Sequence, residues 1–539
     1  MYGDNAISMS GARRDSLSGL PATHWDMLIV GGGISGAGIL LEAQKNGLKA
    51  ALIEQTDFAW GTSSRSSKMV HGGIKYLSQG QPVVTIKSVK ERQKLLDQLP
   101  GLVDRLDLNY LNYKSEKKTR FILRLGLFVY DVLAGGLRKH YLSRDYIEQQ
   151  APALRLEELD CSYTFFESVT DDARLTLRVL QEARACGGLA VNYCRANGVF
   201  VEGDCVAGVD AEDVISGEKY RVKAKMVVNA TGAWADQLRA AVNTSAKERI
   251  RPLRGSHLIF RKDKFPIGVN VTVPHPRDGR PVFAFEWEGR ICVGSTDIDH
   301  GRDMSEEAVV SPEEMAYILE FLNFYYPGLC LNAGDVVSSW SGVRPVIDSG
   351  AADPSKESRD HFLALEGGLL TITGGKLTTF RTMAEEVVRS AAEYLEKPFV
   401  RTRHAFPPAQ PIDVQTDLPF GEGMLTRLNG RYGPEVFPFL KECTSDLLQS
   451  VEDTQTIWAE FIWAMRCEQV IHLDDLLLRR TRVGLLLEGG GESILERLEH
   501  LCRMELGWAT ATWEQERARY LSIWRRYYST PEVAGMKGS

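Results

Sequence analysis

The sequence predicts an α/β protein with a strand-rich middle and a helical C-terminal unit. Three observations carry this. A β-α-β unit at 26–54 is built on a glycine-rich turn. Runs rich in β-branched residues recur between 197 and 296. Residues 439–530 contain no proline, and their apolar residues fall at helical spacing.

The chain has 539 residues, enough for about three or four domains at roughly 150 residues each. Apolar residues make up 44% and charged residues 25%, which excludes a disordered, collagenous or coiled-coil chain. The 64 Lys and Arg against 71 Asp and Glu leave a net charge of −7, so no general nucleic-acid footprint exists. The longest uncharged run, 27–41, is 15 residues with five glycines. Spanning a bilayer takes about 20 apolar residues. Residues 1–25 are polar, lack the apolar core of a signal peptide and read as a flexible tail, with the cytoplasm as the expected address. The nine cysteines include no C-x-x-C and the ten histidines no H-E-x-x-H, so reduced thiols and no metal site are expected.

Each element has its local reason. Residues 26–31 form an apolar strand, a helix runs on through Leu41, and 49–54 form the second strand. The pattern from 81 to about 137 is mostly helical and locally basic. Strand-like runs follow at 197–209, 219–230, 256–260, 281–285 and 291–296, and a strand-turn-helix at 369–381. Five of the 21 prolines fall in 398–423, which reads as a linker. Beyond it, Ile457, Trp458, Phe461, Ile462 and Met465 mark one helix face, and 424–530 reads as a helical domain.

Gly31, Gly33 and Gly36 form G-x-G-x-x-G, with Ile34 and Ser35 opening the helix. The first glycine permits the tight turn, the second admits a pyrophosphate, and the third lets helix and strand pack closely. The helix N-terminus then faces the phosphates. Glu54 ends the next strand, placed to accept both ribose hydroxyl protons, which favours FAD or NAD over NADP. Three later stretches favour FAD. Thr62, Ser63, Ser66 and Ser67 lie in a hydroxyl-rich segment leading to His71, Gly72 and Gly73. Ala230 and Gly232 close a strand at 227–232. Gly375, Lys376, Leu377 and Thr378 open a helix after the strand at 372. A chain that returns this late can set a helix N-terminus against a flavin ring, where its dipole stabilises negative charge.

At these residues the sequence resembles the FAD-dependent, respiratory glycerol-3-phosphate dehydrogenase family, within the D-amino-acid-oxidase-like flavoproteins. The resemblance is carried by 29–38, 62–77, V-T-D-D-A-R-L at 169–175, 228–234, G-S-H at 255–257, G-S-T-D at 294–297, S-G-V-R-P at 341–345, 374–381 and D-D-L-L-L-R-R-T-R at 474–482. It covers about 26–530. It implies a glutathione-reductase-type FAD domain interleaved, across 26–397, with an antiparallel-sheet substrate or cap domain at roughly 81–165 and 250–340, then the helical domain. It also implies oxidation of sn-glycerol 3-phosphate to dihydroxyacetone phosphate, with hydride to flavin N5 and electrons to a quinone. An FAD oxidase of a related hydroxy or amino substrate, making peroxide, stays open as the alternative, and so does a non-enzymatic flavoprotein.

Such chemistry needs a base and cationic clamps. Arg344 has the planar fork that suits phosphate or an oxyanion. Lys376 sits at a helix start beside two glycines, and His257 follows Gly-Ser at a strand head as the candidate base, near pH 6.5 if unperturbed. Thr296, with Asp297, is expected near the substrate. Against the family's H-G-G-L-R-Y-L the chain reads H-G-G-I-K-Y-L at 71–77. Lys75 therefore stands where the family places a substrate-contacting arginine, beside Tyr76, and Arg65 stands where a small residue is common. Residues 117–140 combine basic side chains with an apolar body and suit either an anionic bilayer surface, on the cytoplasmic face of the inner membrane, or a core helix. Arg479, Arg480 and Arg482 read as a solvated or ion-paired face. A homodimer stays open as well.

Overall fold

In a computed structural model, residues 9–73, 82–113, 141–203, 205–242, 249–348, 350, 360–402, 404–407 and 418–531 are described. The mixed α/β architecture agrees with the sequence reading. Trp25–Val30 and Ala50–Ile53 are buried along their whole length, as strands covered on both faces must be. They lie in a parallel run ordered Leu369–Gly374, Lys219–Asn229, Trp25–Val30, Ala50–Ile53, Leu189–Val191. Helices Ile34–Lys45, Asp172–Ala185 and Phe380–Tyr394 cover one face through Ile39, Leu40, Leu175, Val179 and Val387. The other face is covered by the hairpin Cys194–Glu202 and Cys205–Asp213, which pairs with the first half of Lys219–Asn229.

A second sheet of ten strands takes its members from both sides of these segments, including Val103–Tyr113, Leu159–Thr170, Ile250–Arg261, Pro281–Trp287, Arg290–Gly294 and Val336–Ile347. Its pairings are antiparallel except for Val271 beside Asn109. The helix Pro312–Tyr325 packs on one side of it through Ile318, Phe321 and Leu322. The C-terminal helices Trp458–Cys467, Leu495–Leu506 and Thr510–Tyr527 pack on the other, against Phe285, Trp287 and Trp340. The helix marked out by Trp458, Phe461, Ile462 and Met465 starts with Ile457 as its N-cap.

Several expectations need correction. Residues 9–22 of the supposed tail form the helix Met9–Ala22. It is docked by buried Leu17 and Leu20, and Arg13 pairs with Asp213 at 2.7 Å. The region expected to be mostly helical is so only over Pro82–Gln98. Val103–Tyr113 is a strand whose outward charges, among them Asp104, Arg105 and Asp107, hide its β character. Residues 114–140, with the basic, apolar segment, lie outside the described residues. The run 197–209 is two strands of a hairpin, turned at Gly203. The first described part of the proline-rich linker, up to Pro407, is strapped to the end of Ile34–Lys45: Val400 N–H donates to Asn46 at 2.7 Å, Lys45 Nζ to Ala405 O at 2.5 Å, and Phe406 is buried.

Of the two readings of the arginines at 479–482, the ion-paired one holds, and the pairs are buried. Arg480 donates twice to Asp57, at 2.6 and 2.7 Å, and Arg479 donates to Asp57 at 2.5 Å and to Asp474 and Asp475 at 2.6 Å. Arg482 donates to Ser64 O at 2.7 Å and to Asp172 at 3.2 Å. Asp57 follows the strand Ala50–Ile53, so these pairs join the nucleotide-binding half to the C-terminal helices. Removing one partner of a buried pair strands the other charge, at a cost of about 3–5 kcal/mol. Asp57→Ala should lower the free energy of unfolding measured in urea by that amount, and Trp fluorescence and circular dichroism should report one shared transition.

Candidate active site

The glycine turn is dictated by contact. Gly31 has φ +117°, and a Cβ there would stand 2.5 Å from the Ala230 carbonyl oxygen. A Cβ at Gly36 would collide with the Gly31 carbonyl. The helix Ile34–Lys45 has Gly33 as N-cap, with no side-chain cap from it. Ile34 N–H donates instead to Ser63 Oγ at 2.9 Å. Ser35 is half-buried on the same first turn. Glu54 is half-buried against the loop. Its carboxylate accepts Gly32 N–H at 2.7 Å and Thr56 N–H at 2.9 Å, and burial raises its pKa over the pull of those bonds. The cradle at Gly31, Gly33 and Gly36, which side chains would fill, thus fits a dinucleotide pyrophosphate, with Glu54 at the ribose end.

The loop after Glu54 is engaged mainly with protein. Thr62 Oγ1 donates to Val343 O at 2.5 Å and Ser66 Oγ to Asp172 at 2.7 Å, so both expected cofactor ligands serve as loop anchors. Ser67 Oγ meets His257 Nε2 at 2.9 Å. His71 N–H donates to Thr378 Oγ1 at 3.1 Å, and Gly72 N–H to Glu167 at 2.6 Å. These bonds bring 62–73 against the late turn, where Gly374 and Gly375 have φ of +81° and +71°. Leu377–Thr379 then lead into the helix Phe380–Tyr394. Thr373 Oγ1 donates to Gly232 O at 2.8 Å and closes the same corner. Gly73 has φ +79°. Lys75 and Tyr76 lie outside the described residues.

His257 is buried and stacked on Trp340, with ring centroids 5.0 Å apart. Burial, then Arg344 and Lys68, hold its pKa well below 6.5, so it is a neutral imidazole and not the near-neutral titrating base expected of an unperturbed ring. Its Nδ1 has no hydrogen-bond partner. Arg344 is partly exposed. It donates from Nη1 to Asp297 at 3.1 Å and from Nη2 to Ser295 Oγ at 2.9 Å. Lys376 Nζ reaches Ser88 Oγ at 3.4 Å. Thr296 is 5% exposed and its hydroxyl is bonded to Glu314, which makes it an internal strut rather than a presented ligand. Among the described residues no group of three His, Cys, Asp or Glu side chains could hold a metal.

Sequence reasoning missed Lys68, Asp172, Trp340 and Glu314. Lys68 is fully buried, donates to Asp172 at 2.8 Å and lies 4.6 Å from the Trp340 ring centroid. Asp172 stood in the V-T-D-D-A-R-L stretch. Glu314 announces itself only as the end of S-P-E-E, a helix-start signature.

Because the folded pKa of His257 lies below the unfolded value near 6.5, the unfolded state takes up the proton first as pH falls. Its effect on stability is nil above about pH 7.5 and increasingly unfavourable below about 6.5. Denaturant titrations from pH 8 to 5 should therefore show a smaller acid loss of stability in His257→Gln than in the parent chain. Parallel curves would contradict the neutral assignment.

The comparisons agree with this geometry. Residues 26–381 match the model of the FAD dependent oxidoreductase family, and residues 377–513 match the C-terminal domain of alpha-glycerophosphate oxidase. An aerobic glycerol-3-phosphate dehydrogenase of Staphylococcus aureus is 32% identical over 504 residues, covering 88% of this chain and 90% of the relative. The glycerol-3-phosphate dehydrogenase of Bacillus halodurans, solved with FAD, superposes with a TM-score of 0.74 at 27% identity over 95% of this chain and 96% of the other. The L-alpha-glycerophosphate oxidase of Mycoplasma pneumoniae shares the fold, with a TM-score of 0.55 at 16% identity over 72% of this chain and all of its own. The chain belongs to the FAD-dependent oxidoreductase family and, within it, to the aerobic glycerol-3-phosphate dehydrogenases.

Proposed function

We propose that the chain oxidises sn-glycerol 3-phosphate to dihydroxyacetone phosphate and passes the electrons on to a quinone. The carrying observation is the Arg344 guanidinium, partly exposed beside His257 and fixed at both ends by Ser295 and Asp297. Gly31, Gly33, Gly36 and the start of Ile34–Lys45 would hold the pyrophosphate of FAD, Glu54 the ribose, and the turn at Gly375, Lys376, Leu377 and Thr378 the flavin ring. When bound, FAD supplies the hydride acceptor.

The chain's own side chains do the rest. Arg344 presents a planar fork to the phosphate, and Lys75 and Tyr76, which follow Gly73 in the sequence, would add a point charge and a hydroxyl. The neutral His257 is the residue proposed to take the alcohol proton. Arg344 and Lys68 disfavour a lasting imidazolium, so the proton must move on. Lys376, at the N-terminus of the late helix, adds positive potential where negative charge develops.

Arg344→Lys keeps the charge and loses the fork, so it should cost on the order of 2 kcal/mol in kcat/KM. Lys75→Arg should leave the reaction unchanged or improve it. Anaerobic stopped-flow bleaching of the flavin band against glycerol 3-phosphate concentration measures both. A parent enzyme that glycerol 3-phosphate does not reduce would remove this function and favour an oxidase of another hydroxy or amino substrate.

Delivery to a quinone calls for contact with a bilayer. Among the described residues no helix is long and apolar enough to cross one. The basic, apolar segment 117–140 is the proposed surface attachment. Since exposed charge attraction is screened over about 8 Å at physiological salt, the protein should float with phosphatidylglycerol vesicles at low salt and be released at high salt. Failure to float at either salt would remove the attachment.

A further inference from the structure

Arg344 is held by a frame that its own partners do not complete. The guanidinium lies against Gly255, where a Cβ would collide with Nη2. Its partners Ser295 and Asp297 flank Thr296, whose hydroxyl is turned the opposite way. Thr296 Oγ1 donates to Glu314 Oε1 at 2.6 Å and accepts Ser256 N–H at 2.9 Å. Ser256 Oγ donates to the same Oε1 at 2.8 Å and also meets Ser341 Oγ. Ser256 sits between Gly255 and His257, and Ser341 lies three residues before Arg344 on Val336–Ile347. The second oxygen, Oε2, takes Arg254 Nη2 at 2.8 Å and Ser311 N–H at 3.1 Å.

A single carboxylate, 3% exposed, therefore ties the segment beneath Arg344, the segment beside it and, through Ser256, the strand that carries it. We infer that Glu314 is the positioning residue of the Arg344 anion clamp, with Thr296 as its strut. The assignment rests on the proposed role of Arg344 as the phosphate ligand. A helix-capping role alone would explain only the Oε2 side, because Ser311 and Glu314 form the capping box of Pro312–Tyr325. The Oε1 side points away from that cap and into the site's frame.

The two roles separate by substitution. Glu314→Gln alters both sides, Thr296→Val cuts only the strut, and Ser311→Ala cuts only the cap. The readouts are the Kd for inorganic phosphate, followed by perturbation of the flavin absorption of the oxidised holoenzyme, and KM and kcat for glycerol 3-phosphate. Misplacing a fork by a fraction of an ångström weakens charge-assisted bonds steeply. Glu314→Gln and Thr296→Val should each raise phosphate Kd and substrate KM about tenfold, with kcat within roughly twofold and FAD content unchanged. Ser311→Ala should lower Tm and leave Kd and KM alone. Thr296→Val with parental Kd and KM, or Ser311→Ala with the same rise as Glu314→Gln, would overturn the assignment. If the parent binds phosphate but is not reduced by glycerol 3-phosphate, the proposed function falls while the Kd series still decides Glu314. A parent that is reduced by glycerol 3-phosphate but binds no phosphate would overturn the clamp assignment and leave the proposed function standing.

Discussion

The site depends on one buried cation being tolerable. Lys68 is fully buried, and desolvation followed by the nearby Arg482 pushes its pKa down to about 8 against the pull of Asp172. A lysine cannot remain charged there without that carboxylate, a bond to Ser64 O at 2.5 Å and the faces of Trp340 and Trp287. Asp172 comes from the helix over the parallel sheet, the tryptophans from the second sheet, and Arg482 from the C-terminal unit. When all three arrive, the loop from Ser64 to Ser67 has one position. That position presents Ser63 to the nucleotide helix and Ser67 to His257.

The C-terminal helices consequently act as part of the site's scaffold. Arg482 bonds the loop directly, Arg479 and Arg480 hold Asp57 after the second strand, and Tyr528 hydrogen-bonds Arg65 at 3.0 Å. Arg65 also pairs with Glu307 at 2.6 Å and bonds the Trp60 carbonyl. The residue that departs from the family's small side chain thus faces away from the candidate substrate contacts and toward the C-terminal helices.

What the sequence made legible follows from range. The β-α-β unit, the strand-turn-helix at 369–381 and the helix at 458 were readable because a steric rule acts within a few residues in each. Glycine at Gly31 and Gly36 is required by the turn itself. Val103–Tyr113 was not readable, because one face is charged and its partner strand, Leu159–Thr170, lies about fifty residues on. The helix Met9–Ala22 has weak amphipathicity, and what holds it is Arg13 reaching Asp213. His257 and Arg344 could be named from motifs, but the imidazole's depressed pKa could not, since it arises from burial and from cations distant in sequence. Thr296 was assigned to the substrate because G-S-T-D reads as one polar unit. Its side chains in fact diverge, two toward Arg344 and one toward Glu314.

That divergence has an electrostatic logic. Arg344 and Lys68 make the region around His257 cationic, which would suit the proposed phosphorylated substrate. Asp297 offsets Arg344 from the exposed side, whereas Asp172 offsets Lys68 and Glu314 offsets Arg254 from the buried side. The buried carboxylates are fully engaged and cannot be displaced without leaving charges unpaired. The Asp297 pair is partly open to solvent and is worth far less. A phosphate bound at Arg344, as proposed, would therefore compete with Asp297 for the guanidinium without disturbing the frame. The order of burial separates what must stay fixed, the arginine's place, from what must yield, its counter-ion.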